Sequence, residues 1–233
     1  MDWKGLAMRI IATLCNCWKI IGGFFLLAML VSPSVWAETI TLGGVGSMTP
    51  LIKRLAAEYT KKNPGIEISI IDPPIGSNGG IRAISAGRID IALSGRATSS
   101  EEAGQTWPWL QTPLVFATQD GKSKGLSSAE IADIFAGRKT TWDDNKPIRL
   151  VLRGEHESET KLLRTLSPAV DVAVGEALKR SDRPIAENDL IAVDMLGKIA
   201  GSLGTTNLGL LKTTGSRLTI LPLNGVVPSV RSV

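Results

Sequence analysis

The sequence predicts an α/β protein built from two lobes with a ligand cleft between them. Strand-like and helix-like segments alternate along residues 39–223, the order expected of parallel strands joined by helical crossovers. Two polar breaks, near 119–125 and 213–216, predict that the chain crosses between the lobes twice. A cleft at such a hinge is a natural place for a ligand.

The first lobe, residues 38–116, is predicted to have a βαβαβ order. Its strand-like segments are short and apolar, and its first helix has apolar residues at positions 51, 52, 55 and 56. The predicted strands are 39–43, 66–71 and 89–93, and the predicted helices are 50–62 and 79–86.

The second lobe is predicted over residues 117–214, after a strand that leaves the first lobe. Residues 215–233 are predicted to return to the first lobe as a shortened final segment. The predicted strands are 112–118, 148–152 and 218–223, and the predicted helices are 128–135, 160–166 and 188–200.

Residues 1–37 are predicted to be a secretory signal peptide. Basic residues precede an apolar stretch at 20–31, a proline follows it, and Ala37 supplies a small residue before the cleavage site. The alternative is a membrane anchor, but the stretch is shorter than the roughly 20 apolar residues that span a bilayer. Cleavage after Ala37 would release a periplasmic protein.

The composition narrows the class of ligand. Both cysteines, Cys15 and Cys17, lie in the predicted leader, so we expect no disulfide, thiol nucleophile or cysteine metal site in the mature chain. The formal net charge of +4 is too small to indicate nucleic-acid binding. Aromatic residues make up only 5% of the chain, which disfavours a sugar or base held by stacking. A small ligand held through hydrogen bonds, without a cofactor, fits better.

Two polar turns come where first-lobe strands end and helices begin, at residues 43–50 and 75–81. Their donor and acceptor side chains are Ser47, Thr49, Ser77 and Asn78. Backbone N–H groups at helix N-termini attract anions, although each turn alone is more simply an ordinary cap or polar turn. Two such turns in adjacent βα units would aim their amides into one crevice.

Arginines follow two further strands. Arg96 lies just past the third strand, and its planar fork of donors suits an oxyanion, the alternative being a solvated surface arginine. Arg153 opens a fourth turn, in the second lobe, together with Ser158 and Thr160. Three glutamates are interleaved with these donors, which an anion site should avoid.

Six segments together resemble the substrate-binding proteins of phosphate ABC transporters, in the expected order. They are GVGSMTPLIKRLAAEY, NPGIEISI, IGSNGGI, GRIDIALSGRATSSEE, IADIFAGRKTTWDD and NGVVPS. The resemblance runs from about Thr39 to Ser229. It implies the periplasmic-binding-protein type II fold, in which two α/β lobes close over the ligand.

The resemblance also implies the contacts to the ligand. The matching residues are Ser47, the Met48 N–H, Ser77, Arg153, Ser158 and Thr160. Glu159 replaces the glycine of the family's Ser-Gly-Thr motif, and Gly95 replaces an aspartate that accepts a proton from phosphate in some members. We expect the Glu159 side chain to turn outward to solvent, leaving only its backbone at the site.

The predicted function is capture of phosphate or a related small oxyanion by a monomeric, non-enzymatic protein that serves an ABC permease in the inner membrane. One alternative is a degenerate relative that acts as a sensor or adaptor. The other is a hydrolase, because His156 lies two residues from Ser158. That spacing on one loop does not make a nucleophile–base pair, so we expect His156 to be an exposed loop residue.

Overall fold

The computed structural model describes residues 37–102, 104–120, 124–180, 182–229 and 231. Apart from Ala37, the predicted leader lies outside these residues, so its cleavage stays a prediction. Glu38–Val233 make up one compact unit. Among the described residues, none of the helices has the length and apolar character needed to cross a bilayer.

Three parallel strands form the first sheet, in the order β2-β1-β3. The central strand β1 (Glu38–Gly44) pairs with β2 (Ile66–Ile70) on one side and with β3 (Ile91–Leu93) on the other. The crossovers are α1 (Thr49–Lys62) and α2 (Gly76–Ser85). Because the strands are parallel, both strand-to-helix turns open at the same edge of the sheet.

The local sequence sets the limits of α1. Pro50 lies in the first turn, where its fixed φ suits the helix and no N–H is needed. Lys61 and Lys62 lie in the last turn, next to the negative end of the helix dipole. Ile52 is buried on the inner face. The predicted helix at 50–62 is therefore confirmed to within one residue, whereas α2 begins at Gly76, three residues earlier than predicted.

Five strands form the second sheet, in the order β6-β5-β7-β4-β8. They are β4 (Leu114–Thr118), β5 (Arg149–Arg153), β6 (Ile185–Ala186), β7 (Ser202–Asn207) and β8 (Thr219–Leu221). β5 is parallel to β6 and β7, whereas β4 is antiparallel to β7 and β8. The order β6-β5-β7 thus repeats the arrangement β2-β1-β3 of the first sheet.

Side-chain caps start most helices of the second lobe. These helices are α3 (Ser128–Ala136), α4 (Ser158–Arg164), α5 (Pro168–Leu178), α6 (Asp189–Lys198) and α7 (Leu208–Thr214). Ser127 and Glu130 form a capping box at α3, and Asn188 caps α6 by accepting a hydrogen bond from the Ile191 N–H. α6 therefore begins at Asp189, which fixes where that carboxylate lies.

The second sheet has an apolar core on both faces. Successive residues of a strand point to opposite faces. Phe116 of β4 packs in one cluster with residues of α3 and α5, whereas its neighbours Val115 and Ala117 pack in another with α6 and α7. Leu150 and Val151 of β5 divide between the clusters in the same way.

Two predicted lobe assignments differ from the structure. The segment 112–118 is predicted to be a strand that leaves the first lobe, but its residues 114–118 are β4 of the second sheet. Residues 215–233 were expected to return to the first lobe, but β8 pairs with β4 over Thr219–Leu221 and remains in the second sheet. An apolar strand pattern reports burial, but it does not say which neighbouring strand will accept the backbone hydrogen bonds.

Four elements, β6, β7, α5 and α7, were not predicted from the sequence. β7 is buried at all six positions, although most of its residues are small or polar. The Ser202 Oγ donates to the Leu196 carbonyl oxygen at 2.7 Å, whereas the buried Thr206 Oγ1 has no hydrogen-bond partner among the described residues. A buried strand of this composition lacks the apolar run that sequence patterns detect.

Candidate functional site

The first wall of the site is the turn after β1. Gly44 has φ of +140°, and a Cβ there would lie only 2.0 Å from the Leu93 carbonyl oxygen. Glycine therefore lets β1 and β3 approach closely, and the next amide, Val45 N–H, donates to the same oxygen at 2.9 Å. This contact fixes the direction of the short 3₁₀ turn Gly46–Met48. Thr49, which follows it, is buried.

A carboxylate of the second lobe lies against this turn. The Ser47 backbone N–H donates to Asp189 Oδ2 at 3.0 Å. A Cβ on Gly46 would come within 3.0 Å of the same oxygen, so glycine there leaves room for it. Met48 is partly buried beside Ser47. This turn is predicted to bind an oxyanion, and in the structure its Ser47 amide binds the Asp189 carboxylate of the same chain.

Serines of the two lobes meet next to this contact. Ser77, in the first turn of α2, is buried, and its Oγ accepts the Gly95 N–H at 2.9 Å. Ser77 Oγ and Ser158 Oγ, at the start of α4, are 3.4 Å apart, and either can be the donor. The strand-to-helix turns of the two lobes therefore face each other directly.

Arg96 and Asn78 form a cluster with a carboxylate that the sequence analysis did not single out. The Arg96 guanidinium donates through both terminal nitrogens to Glu102, and its Nε donates to Asn78 Oδ1 at 3.0 Å. The hydrogen bond from Arg96, with a second from the Ser99 N–H, lowers the pKa of Glu102 to about 2. The guanidinium of Arg96 is thus directed at Glu102.

Arg153 is the buried cation of the second wall. It ends β5, is 4% exposed, and donates from Nη1 to the Ala186 carbonyl oxygen at 2.7 Å. Its Nη2 donates to Glu157 Oε2 at 3.0 Å and lies 3.7 Å from Asp189 Oδ1. Among the described residues, its Nε has no hydrogen-bond partner. Thr160 Oγ1 donates to the Arg153 carbonyl oxygen at 3.2 Å and anchors the end of the strand.

The prediction that Glu159 turns outward to solvent is wrong. Its side chain is only 8% exposed and lies beside Asp189. Burial first, and then the charge and the hydrogen bond of Asp189, raise the pKa of Glu159 to about 8. The raised pKa favours the protonated form of Glu159 at neutral pH, next to the Asp189 carboxylate.

The structure brings most of the predicted residues to one place between the lobes. These are Ser47, Met48, Thr49, Ser77, Arg153, Ser158 and Thr160. Arg96 and Asn78 lie beside it, and Arg96 donates to both Asn78 and Glu102. Asp189 was missed, because a first-turn helix residue 36 positions from Arg153 carries no local sign of the contact.

His156 is exposed, as predicted, and it lies on the loop that precedes α4. Within the described ranges, no group of histidine, cysteine and acidic residues is arranged to hold a metal ion.

Comparison with known families accounts for the fold. A family model described as the PBP superfamily domain matches residues 34–231. The chain belongs to this family. A phosphate ABC transporter substrate-binding protein from Clostridium perfringens, solved with bound phosphate, superposes with a TM-score of 0.63 at 18% identity, over 82% of this chain and 78% of that one. The fold is therefore the two-lobed periplasmic-binding-protein type II fold, as the resemblance implied.

Curated relatives point to the same family. Phosphate-binding protein PstS 2 of Streptococcus pneumoniae (strain TIGR4) is 34% identical over 111 residues, 46% of this chain and 37% of the relative. Protein SphX of Synechococcus elongatus is 24% identical over 219 residues, 83% of this chain and 63% of the relative. The chain thus spans less than two thirds of the length of either relative.

Proposed function

We propose that this chain is a non-enzymatic periplasmic solute-binding protein that captures phosphate or a related small oxyanion for an ABC permease. One observation carries the proposal: the Ser47 amide of the first lobe and Arg153 of the second converge on one carboxylate, that of Asp189. A carboxylate has the charge and the acceptor oxygens of an oxyanion ligand. Hydrogen-bond donors from both lobes therefore already converge on an anion of the right class.

The proposed ligand contacts are divided between the lobes. From the first lobe we assign the Ser47 and Met48 amides, Thr49 and Ser77, and from the second Arg153, Ser158 and Thr160. Arg96 and Asn78 are assigned a supporting role, because Glu102 takes up the Arg96 guanidinium. The names of the relatives, which include a phosphate-binding protein, favour phosphate as the first ligand to test.

Titration calorimetry with phosphate, sulfate, molybdate and a phosphonate tests the proposal. We expect saturable binding of phosphate, and we expect Arg153→Lys to weaken it by about one to two orders of magnitude. Lysine keeps the charge but loses the planar fork, so the variant separates geometry from net charge. Arg149→Lys is the matched control, because Arg149 lies on the same strand with an exposed side chain that donates to the Ala200 carbonyl oxygen.

The second candidate is a sensor or adaptor module that binds no free oxyanion. This candidate is favoured by the acidic residues that surround Arg153, which are Glu157, Glu159 and Asp189. Wild-type protein that binds none of the four anions, while it unfolds cooperatively, would support this candidate. Equal binding by wild type and Arg153→Lys would instead remove the second lobe from the site.

The export of the protein is part of the proposal. N-terminal sequencing of the protein recovered from the periplasm should begin at Glu38. Recovery of Trp18 in the mature protein would contradict cleavage after Ala37.

A further inference from the structure

Asp189 is the charged group of the site that neither the family resemblance nor the sequence pattern assigned. It is 4% exposed, although it is the first residue of a helix and carries an acidic side chain. Burying an ionised carboxylate is costly unless it is paired and hydrogen-bonded. Its partners come from both lobes: the Ser47 N–H from the first, and Arg153 and Glu159 from the second.

The Ser47 N–H has one hydrogen to donate, and Asp189 Oδ2 accepts it at 3.0 Å. An oxygen of a bound anion can take that donor only if Asp189 releases it. Arg153 imposes a similar limit, because its terminal nitrogens already face Ala186, Glu157 and Asp189. External anion and internal carboxylate are therefore competitors for the same donors.

The charges around Asp189 also disfavour the binding of an external anion while Asp189 stays in place. Arg153 supplies one positive charge, whereas Glu157 and Asp189 each supply a negative one. Burial and the adjacent carboxylate raise the pKa of Glu159, the remaining acidic neighbour, and so favour its uncharged form at neutral pH. The group formed by Arg153, Glu157 and Asp189 thus has a net negative charge while Asp189 is ionised. An added anion is repelled by this charge at short range.

We propose that the Asp189 carboxylate is an internal ligand of the cleft, which occupies the position of a ligand oxygen and must be displaced when an external oxyanion binds. The inference rests on the proposed function, since it names the residue that sets affinity at the same site. It makes Asp189 a determinant of which anions are admitted: a ligand must bring enough hydrogen bonds to replace the contacts that Asp189 gives up. It also makes Asp189 a contact that holds the two lobes together when no ligand is bound.

Calorimetry of the full chain with inorganic phosphate at pH 7.5 tests the competition. We expect Asp189→Ala to bind phosphate at least about tenfold more tightly than wild type, because one repelling charge and one competing acceptor are removed. The matched control is Asp194→Ala on the same helix, where an exposed carboxylate pairs with Lys198 at 2.8 Å. It should stay within about twofold of wild type. Unchanged or weaker binding by Asp189→Ala would overturn the proposal.

A second variant keeps the test decisive if Asp189→Ala does not fold. Asp189→Asn keeps an oxygen that can accept the Ser47 N–H but removes the charge, so it should tighten phosphate binding by a smaller factor than alanine. If the alanine variant does not fold, the asparagine variant decides: tighter binding supports the internal ligand, and equal or weaker binding overturns it.

Hydrogen exchange separates this inference from the proposed function. If wild type and variants bind none of the oxyanions, the proposed function fails, but the contact between the lobes can still be measured. The Ser47 amide should then exchange at least about tenfold faster in Asp189→Ala than in wild type. Unchanged protection of that amide would overturn the inference independently of any ligand.

Discussion

The two lobes contain the same three-stranded arrangement but differ in what surrounds it. In the first lobe β1 lies between β2 and β3, and in the second β5 lies between β6 and β7 in the same parallel sense. The second sheet continues past β7 with β4 and β8. Within the described residues, β3 pairs only with β1.

The lobe with more strands also has the larger buried apolar core. Both apolar clusters lie in the second lobe, one on each face of its sheet. The buried apolar residues of the first lobe are Leu42, Val45, Ile52, Ile81 and Ile89. Apolar side chains remain exposed there, including Ile91 on β3 and Trp107 at 75% exposure. Because hydrophobic stabilisation scales with buried area, we expect the first lobe to be the less stable one.

The largest expected effect comes from a cavity in the core of the second lobe. Phe135, 2% exposed, packs inside one of the clusters, and Phe135→Ala should lower the free energy of unfolding by about 3–5 kcal/mol. Ile52→Ala should cost only about 2 kcal/mol, because fewer neighbours surround the cavity. Urea denaturation measures both, with the exposed Val172→Ala as control. A greater loss for Ile52→Ala would reverse the comparison.

Hydrogen exchange should rank the protection of the two sheets directly. We expect the amides of β7 to be protected at least about 100-fold more than those of β3, since β7 is buried throughout and pairs on both sides. β3 has an exposed residue and pairs on one side. Mass-spectrometric exchange in the absence of ligand measures the ratio. Uniform protection across the two sheets would show that the lobes open as one unit.

The lobes should also respond oppositely to pH. Glu159 in the second lobe has its pKa raised to about 8, so the folded chain holds a proton that the unfolded chain loses above its ordinary pKa of 4.5. The free energy of unfolding should therefore fall by a few kcal/mol as the pH rises from about 5 to 8, and Glu159→Gln should remove that slope.

Glu102 in the first lobe is the control for this pH dependence. Its pKa is lowered to about 2, so its contribution is present above the ordinary value of 4.5 and is lost as the pH falls toward 2. Glu102→Gln should leave the slope between pH 5 and 8 unchanged. A slope that persists in Glu159→Gln would show that another group takes up the proton.

The smallest expected effect concerns the arginine of the first lobe. Because Glu102 and Asn78 take up the Arg96 guanidinium, Arg96→Ala should change phosphate affinity by less than about threefold. The buried Arg153 provides the contrast, since its replacement by lysine is expected to cost at least tenfold. Calorimetry of the two variants under one set of conditions makes the test. A loss of tenfold or more in Arg96→Ala would place that arginine among the ligand contacts.

Much of the fold could be predicted because it follows from local pattern. The apolar spacing and Pro50 defined α1, and the alternation of strand-like and helix-like segments indicated parallel α/β lobes. β7 was not predicted because its six buried residues are mostly small or polar and include a single large apolar side chain, Leu203. The order of strands could not be predicted either, because the sequence pattern of β4 does not say which of several strands, such as β8, will pair with it.

The sequence by itself determined the class of fold, the turns that line the site and the donors those turns offer. Backbone conformation at strand ends and helix starts depends on nearby residues. A short motif such as Gly43–Pro50 is therefore enough to predict the conformation of its turn. Only the tertiary structure decided that Glu159 is buried and that Asp189 reaches the Ser47 amide. These contacts join residues far apart in the chain, and the protonation state of Glu159 depends on the burial and the neighbouring charge that folding creates.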